Sequence, residues 1–520
     1  MLQFAYNNKP GTKRYFKARS TSSASASHRI IPLLLGTLFL LTCLSFLSTL
    51  PEITVDPNNK TKQHSAAAAA SPPPLLRNDA SAEAQEQYLA YLPHSGLSNQ
   101  RIELANALLL AALLQRTLII PPAFLGTVVG WMKKEQIYDH LGWLTNASVP
   151  FEQICRPATP GDLASYVRRS RCAEYRHFGV IPWSELHNID SLTPYVNIRF
   201  QDIVSLQQLQ QDLGIDENDT YVHTDQHLYD WRLYEDLSVA RNLLRTGTNY
   251  VDSFAGRRYY KVYTIKHWQR RPERLLQLGG IFGSTRINLI DPEHIALRNT
   301  IASALHYRRD TLIGETVKNI VEYLGGAGSF VGVHFRTGDK PFRKQLPKNL
   351  VLFAQGMAEL TGAPVIPREE DVLAAIQSAD PGLWDEPRRV PLLPPHAGLH
   401  VPPWSTVCRS VPVSGAPITS GFRTVIYIAT DQPNPRSPIS KLAPWFDMFP
   451  CTVTLNDLPD YLFAPLDQVH DMIVPEKTLR SFLIPVVDAM VAAHARQVFA
   501  TPRSTYSKYI GEMNRAWVPS

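Results

Sequence analysis

Tyr88-Leu89-Ala90-Tyr91-Leu92-Pro93-His94-Ser95-Gly96-Leu97-Ser98-Asn99 decides the fold class, because an element signal sits at each end of it. Tyr88–Leu92 is apolar and aromatic, as a buried strand is, and the residues from Pro93 to Asn99 suit a tight loop. Gln100 to Gln115 is rich in Leu and Ala and predicts a helix. Thr117–Ile120 predicts a second strand, ended by Pro121-Pro122. Strand, loop, helix, strand is the opening of an α/β sheet domain. Within the loop, Gly96 lets the backbone turn or approach a ligand, and Ser98 or Asn99 is expected to cap the helix. The helix N-terminus would then offer free N–H groups to a phosphate, while simple capping without a ligand is the plainer use of the same residues.

A second unit of this kind lies later in the chain. Phe330–Phe335 and Val425–Ala429 predict buried strands, Thr478–His494 a helix with Pro485 near its first turn, Gln497–Ala500 a strand, and Ser504–Ile510 the start of another helix. Pro364–Pro417 holds eleven prolines and little periodicity, which reads as a long surface insertion. The expectation is two Rossmann-like α/β domains, 88–325 and 326–520, facing a ligand cleft.

The rest of the chain places these domains. Its 520 residues are too many for one ordinary domain, and an apolar content of 44% excludes wholesale disorder. Six of the 52 Lys and Arg fall in residues 1–51, where there is no acid, so the remainder balances at 46 to 46. A nucleic-acid partner is therefore not expected, since such binders concentrate positive charge on the folded part. Ile30 to Leu50 is uncharged and, as a helix, would span about 31 Å, the thickness of a bilayer core. Its basic flank puts 1–29 in the cytosol and makes 30–50 a single-pass anchor. A cleaved signal peptide is the alternative, but the run is longer than its apolar core and no small-x-small site follows Leu50. Residues 51–87, with Ala66–Ala70 and Pro72–Pro74, read as a flexible stem.

Cysteine usage suits a lumenal body. Beyond Cys43 in the anchor there are Cys155, Cys172, Cys408 and Cys451, which allow three pairings; the shortest loops come from Cys155–Cys172 and Cys408–Cys451. Asn59, Asn146 and Asn218 head glycosylation triplets that would be used in the same compartment.

Three clusters carry candidate chemistry. The first is the Gly96–Asn99 loop. The second is His334-Phe335-Arg336-Thr337-Gly338-Asp339-Lys340, where alternation puts His334 and Arg336 on one face at the end of a buried strand. Strand ends are where such sheets hold ligands, and a guanidinium forks onto phosphate oxygens. A structural pair between Arg336 and Asp339 is the plainer alternative. The third is Thr501-Pro502-Arg503-Ser504-Thr505-Tyr506-Ser507, whose hydroxyls at a helix start make an anion cradle or simply cap the helix. Asp488 precedes it and could accept from a purine amino group. No two aspartates are separated by a single residue, so the usual metal clamp of one large class of sugar transferases is missing, and a metal-independent site is expected.

Together with Tyr427-Ile428-Ala429-Thr430-Asp431, these clusters give the chain a pattern that resembles the GDP-fucose protein O-fucosyltransferase family, most closely its fungal and plant-like branches. The resemblance implies a GT-B-like fold, no cofactor and no metal, with a nucleotide sugar and a protein or glycan acceptor as partners. Gly96, Ser98 and Asn99 would line the donor phosphate and sugar. His334 would face the guanine, Arg336 would hold the β-phosphate, Asp488 would meet the guanine, and Ser504 and Thr505 would bind phosphate. Asp339 and Tyr506 belong to the same matched segments. The chain departs from the pattern at Gly96-Leu97-Ser98, where some members carry a Glu before the Asn that serves as base; Glu103, one turn later, is the candidate here. The function implied is fucosyl transfer in the Golgi or endoplasmic reticulum. The alternatives are a same-fold transferase for mannose or rhamnose and a non-catalytic lectin or quality-control protein. A hydrolase is disfavoured, because neither a Gly-x-Ser-x-Gly elbow nor a carboxylate pair is evident.

Overall fold

The computed structural model describes residues 85–132, 134–146, 155, 172, 175–246, 249–338, 340–361, 368–370, 374, 424–437, 440–449 and 451–518. The basic tail, Ile30–Leu50, nearly all of the stem, Asn59, Asp339, Cys408 and most of 364–417 lie outside these residues. Among the described residues, no helix is long and apolar enough to cross a membrane.

The described residues all belong to one compact unit, Ser71–Ser520. It is a mixed α/β structure built on two parallel sheets. The first has the order Ile198–Phe200, Thr117–Ile120, Tyr88–Ala90, Leu275–Gln277, Thr220–Val222, every pair parallel. The second runs Thr452–Thr454, Ile426–Thr430, Val331–Phe335, Gln497–Ala500, again all parallel. In each sheet the earliest strand is interior, with the next strand on one side and a much later one on the other. That is a topological switch point, where the loops after the strands diverge and leave a crevice. The loop containing His94 and Gly96 leaves the first switch strand, and His334–Gly338 leaves the second.

The helix after the first strand runs Leu97–Leu114 and is apolar on all sides, so it is buried on nearly all sides, with Leu104, Leu108 and Leu110 fully covered. It starts three residues before Gln100. Gly96 is the N-cap and uses no side chain, so neither Ser98 nor Asn99 caps the helix; both lie in its first turn. In the second sheet, alternation sends Val331, Val333 and Phe335 into a core with Leu350, Phe353 and Trp445. Gly332 faces the other way, and a Cβ there would stand 2.8 Å from the Ala492 carbonyl, so the glycine is what lets the helix Arg480–Ala493 lie against the strand. Pro485 sits inside that helix.

A continuous apolar core joins the sheets, with Leu108, Ile320, Val487 and Met490 in one cluster. The helix Leu312–Tyr323 ends before the expected division at 325, yet it packs against Arg480–Ala493 and the 3-10 segment Asp460–Gln468 of the second half. A three-stranded parallel sheet (Lys261–Thr264, Trp231–Tyr234, Ile287–Asn288) and the antiparallel strands Leu244–Thr246, Asn249–Phe254 and Arg257–Tyr259 complete the first half.

Candidate functional site

Three loops meet at the carboxyl edge of the second sheet and are tied together by hydrogen bonds. The Arg336 amide donates to Thr501 Oγ1 at 3.1 Å, and that hydroxyl donates to the His334 carbonyl at 2.6 Å. Asp431 follows the strand Ile426–Thr430. Its Oδ1 accepts from the Thr337 amide at 2.6 Å and the Thr337 hydroxyl at 2.8 Å, and its Oδ2 accepts from the Gly338 amide at 2.9 Å. The same Oδ2 lies 2.8 Å from the Arg336 guanidinium. Asp431 therefore shapes the loop and aims the arginine; Asp339, the partner in the plainer alternative, lies outside the described residues. The signal was present, since an acid directly after a buried strand belongs at a ligand edge, but nothing local pairs it with Arg336. Arg336 has a third of its side chain exposed at this edge.

The helix Thr505–Trp517 begins at the same edge. Ser504 is its N-cap, and its hydroxyl accepts from the Ser507 amide at 3.2 Å, so that side chain is committed to capping, while Thr505 is exposed. Arg503, at φ 65°, turns the loop into the helix. The N–H groups of the first turn point along the helix axis with the positive end of its dipole. His334 is buried; its Nδ1 pairs with Ser507 Oγ at 2.5 Å and its ring lies 5.2 Å from that of Tyr506. Burial pulls the imidazole down to about 4, so it is neutral at physiological pH.

Asp488 Oδ1 accepts from the Tyr427 hydroxyl at 2.5 Å and its Oδ2 from the Thr430 amide at 3.0 Å. Each oxygen thus takes one donor that holds the strand end against the helix. Burial pushes the carboxyl up to about 7, outweighing those two bonds. The Tyr506 hydroxyl donates to the Pro485 carbonyl, which also makes it a strut.

On the first sheet, Gln100 latches the loop. Its amide nitrogen donates to the carbonyls of Ser95 and Phe124 and its oxygen accepts from the Phe124 amide, at 3.0–3.1 Å. Asn99 Nδ2 donates to Ser95 Oγ at 3.2 Å, and the Ser98 hydroxyl is buried with no hydrogen-bond partner among the described residues. Arg101, one turn into its helix, lies 3.6 Å over the ring of Tyr509, one turn into the helix that Ser504 caps. The two helix starts are thereby joined, a role for Arg101 that sequence alone did not assign. Glu103 is corrected as well: it has no exposed surface, its Oε2 accepts from the His94 amide at 2.9 Å, and burial raises its carboxyl well above the usual range. A carboxyl with no exposed surface cannot reach an acceptor hydroxyl, so Glu103 props the His94 loop from inside.

Cys155 and Cys172 form a disulfide with Cα atoms 4.9 Å apart; Cys451 is also disulfide-bonded. Asn146 and Asn218 are exposed.

Fold and edge together define an α/β protein with two parallel sheets, each gathering polar loops at its switch point. No family model matches the chain. A stretch of 37 residues is 62% identical to O-fucosyltransferase 30 of Arabidopsis thaliana; it is 7% of this chain and 7% of that protein, so the match spans a small part of the curated relative's length. Among solved structures, POFUT1 in complex with GDP (crystal form III) covers 84% of this chain and 97% of its own at 11% identity, with a TM-score of 0.35. POFUT1 in complex with GDP-fucose (crystal form II) covers 82% and 94% at 10% identity, with a TM-score of 0.32.

Proposed function

We propose that the protein is a glycosyltransferase of the secretory pathway that moves fucose from GDP-fucose to a hydroxyl of a protein or glycan. The observation that carries this reading is the converging edge: Arg336 held by Asp431, beside the N-terminus of Thr505–Trp517, with the Leu97–Leu114 helix start tied in through Arg101 and Tyr509. Two positive helix ends and one fixed guanidinium suit a diphosphate. The local match to a plant O-fucosyltransferase is compatible with that chemistry.

In this reading the acceptor oxygen attacks C1 of the sugar from the face opposite the phosphate, and the C1–O bond breaks with inversion. The electron pair leaves on the β-phosphate oxygen, where Arg336 meets the growing charge in place of a metal ion. The acceptor proton has no side-chain base at the first loop, because Glu103 is buried. The assignment to a single-pass Golgi or endoplasmic reticulum membrane protein rests on the sequence of residues 1–51. Titration calorimetry of the full chain in detergent tests the donor: GDP should bind well above UDP and CMP, and equal binding would remove the guanine assignment. A panel of nucleotide sugars in a donor-hydrolysis assay separates fucose from mannose or rhamnose.

The burial of Glu103 favours one second reading, a non-catalytic sugar-binding protein on the same scaffold. In that case Arg336→Ala leaves binding to a glycan array unchanged; a transferase loses GDP-dependent turnover instead.

A further inference from the structure

A second polar cluster lies on the first half, apart from the edge that carries Arg336. His223 and Asp225 follow the outer strand Thr220–Val222 of the five-stranded sheet, and Asp230 leads into Trp231–Tyr234 of the three-stranded sheet. All three side chains are at least nine-tenths buried, with 4%, 9% and 1% of their surface exposed. His223 Nε2 is 3.7 Å from Asp225 Oδ1 and 3.9 Å from Asp230 Oδ2. One ligand atom from each of the three can be chosen so that all lie within 4.8 Å of one another. Among the described residues, His223 Nε2, Asp225 Oδ1 and Asp230 Oδ1 have no hydrogen-bond partner.

Three inward-facing polar atoms without partners are costly to bury. One shared proton does not solve the problem, because 3.7 and 3.9 Å are beyond hydrogen-bonding range and a proton would satisfy one contact of several. We infer that His223, Asp225 and Asp230 form a structural site for a divalent transition-metal ion of the zinc class. Ligands held about 2.0–2.2 Å from a tetrahedral ion stand about 3.3–3.6 Å apart, so the His223–Asp225 spacing of 3.7 Å needs to close by only a few tenths of an ångström, while Asp230, whose nearer oxygen holds Lys261, offers a ligand atom within 4.8 Å of the other two and has further to move. An imidazole with two carboxylates suits Zn²⁺, Co²⁺ or Mn²⁺ better than Mg²⁺ or Ca²⁺, which prefer oxygen throughout.

The surroundings hold these ligands as a metal site requires. The second oxygen of Asp225 accepts from the Gly280 amide at 2.7 Å, and Asp230 Oδ2 accepts from Lys261 Nζ at 2.8 Å. Outer partners of this kind fix the direction in which a carboxylate presents its free oxygen. The imidazole is boxed by Trp231, Tyr263 and Trp268, with ring centroids 5.5–5.9 Å away. Lys261 offsets part of the negative charge, so the ion is expected to come away with a chelator. The ion would staple the edge of the five-stranded sheet to the three-stranded sheet. Among the described residues a second acidic cluster with a histidine, Glu235, Asp291 and His294, needs no ion: Glu235 already accepts from the amides of Ile290 and Asp291 and pairs with His294.

The test uses the full chain in detergent, stripped with EDTA and titrated with Zn²⁺ and, separately, Co²⁺ and Mg²⁺. One equivalent of Zn²⁺ should bind and raise the melting temperature by a few degrees, Co²⁺ should bind with a visible absorption band, and Mg²⁺ should do neither. Asp225→Asn and His223→Ala should each lose the bound equivalent, while His294→Ala should keep it. The wild-type titration stands even if a variant fails to fold. Failure to take up a stoichiometric ion, or loss of the ion from His294→Ala but not from His223→Ala, would overturn the assignment.

Discussion

Arg336 gains its importance from Asp431, not from its own position in the sequence. The carboxylate takes three loop donors and the guanidinium at once, so the arginine is aimed before any ligand arrives. A preorganised donor is worth more to a transition state that gathers charge than to the ground state, and losing one costs about 10²–10³ in turnover. Arg336→Ala is therefore expected to lower kcat for fucosyl transfer by that factor while GDP affinity falls much less. Arg336→Lys should be nearly as damaging, because it keeps the charge and loses the fork. Asp431→Asn should lose less than Arg336→Ala, since the arginine remains but is no longer aimed. Steady-state kinetics with saturating donor measures all three; an Arg336→Ala enzyme near the wild-type rate would make the residue structural.

At the scale of elements, the site depends on how two loops enter and leave their strands. A Cβ on Gly338 would stand 2.7 Å from Asp431 Oδ2, an oxygen already held by the Gly338 amide and Arg336. Gly338→Ala should thus displace Asp431 and weaken GDP binding several-fold, with little change in the melting temperature because the loop is at the surface; calorimetry beside a thermal scan checks both halves. Ser504 acts through its helix. Removing an N-cap costs about 1 kcal/mol, so Ser504→Ala should lower the unfolding free energy by that amount in a urea titration with an unchanged slope. The loop on the first sheet is latched by Gln100, fully buried and bonded on both sides of its amide to Ser95 and Phe124.

For the molecule as a whole, an aromatic column links elements far apart in the chain. His187 stacks against Trp183 and Tyr307, Tyr307 packs edge-on to Tyr509, and Tyr509 carries Arg101. Burial pulls His187 down to about 3, so the folded protein holds it neutral. The unfolded chain protonates it near pH 6.5, and the folded state does not follow, so this residue removes stability as pH falls below 6.5. His187→Phe keeps the stack and loses the bond from Nδ1 to the His306 carbonyl. At pH 7 the variant should be the less stable protein. Between pH 7 and 4.5 the difference should move by about 2–3 kcal/mol in its favour. Urea unfolding at the two pH values measures this; a constant gap would mean that the folded protein admits the proton.

By itself the sequence determined the class of fold and the segments from which the site is made. Buried parallel strands read as continuous apolar runs and the loops after them as polar, glycine-containing stretches, both of which are local signals. Thr117–Ile120 and Gln497–Ala500 are strands over the residues read from sequence, and the Ser504 cap lies where a Ser before an amphipathic run puts it. Only tertiary structure decided which side chains face which. Arg336 meets Asp431 because their strands are neighbours in the second sheet, and Asp488 meets Tyr427 because its helix crosses that strand. Glu103 is hidden because an apolar helix is covered on nearly all sides, which turns a residue one turn from a loop into a core residue. Pairing and burial depend on chain segments that sequence keeps apart, and so the partners of a polar group are settled only by packing.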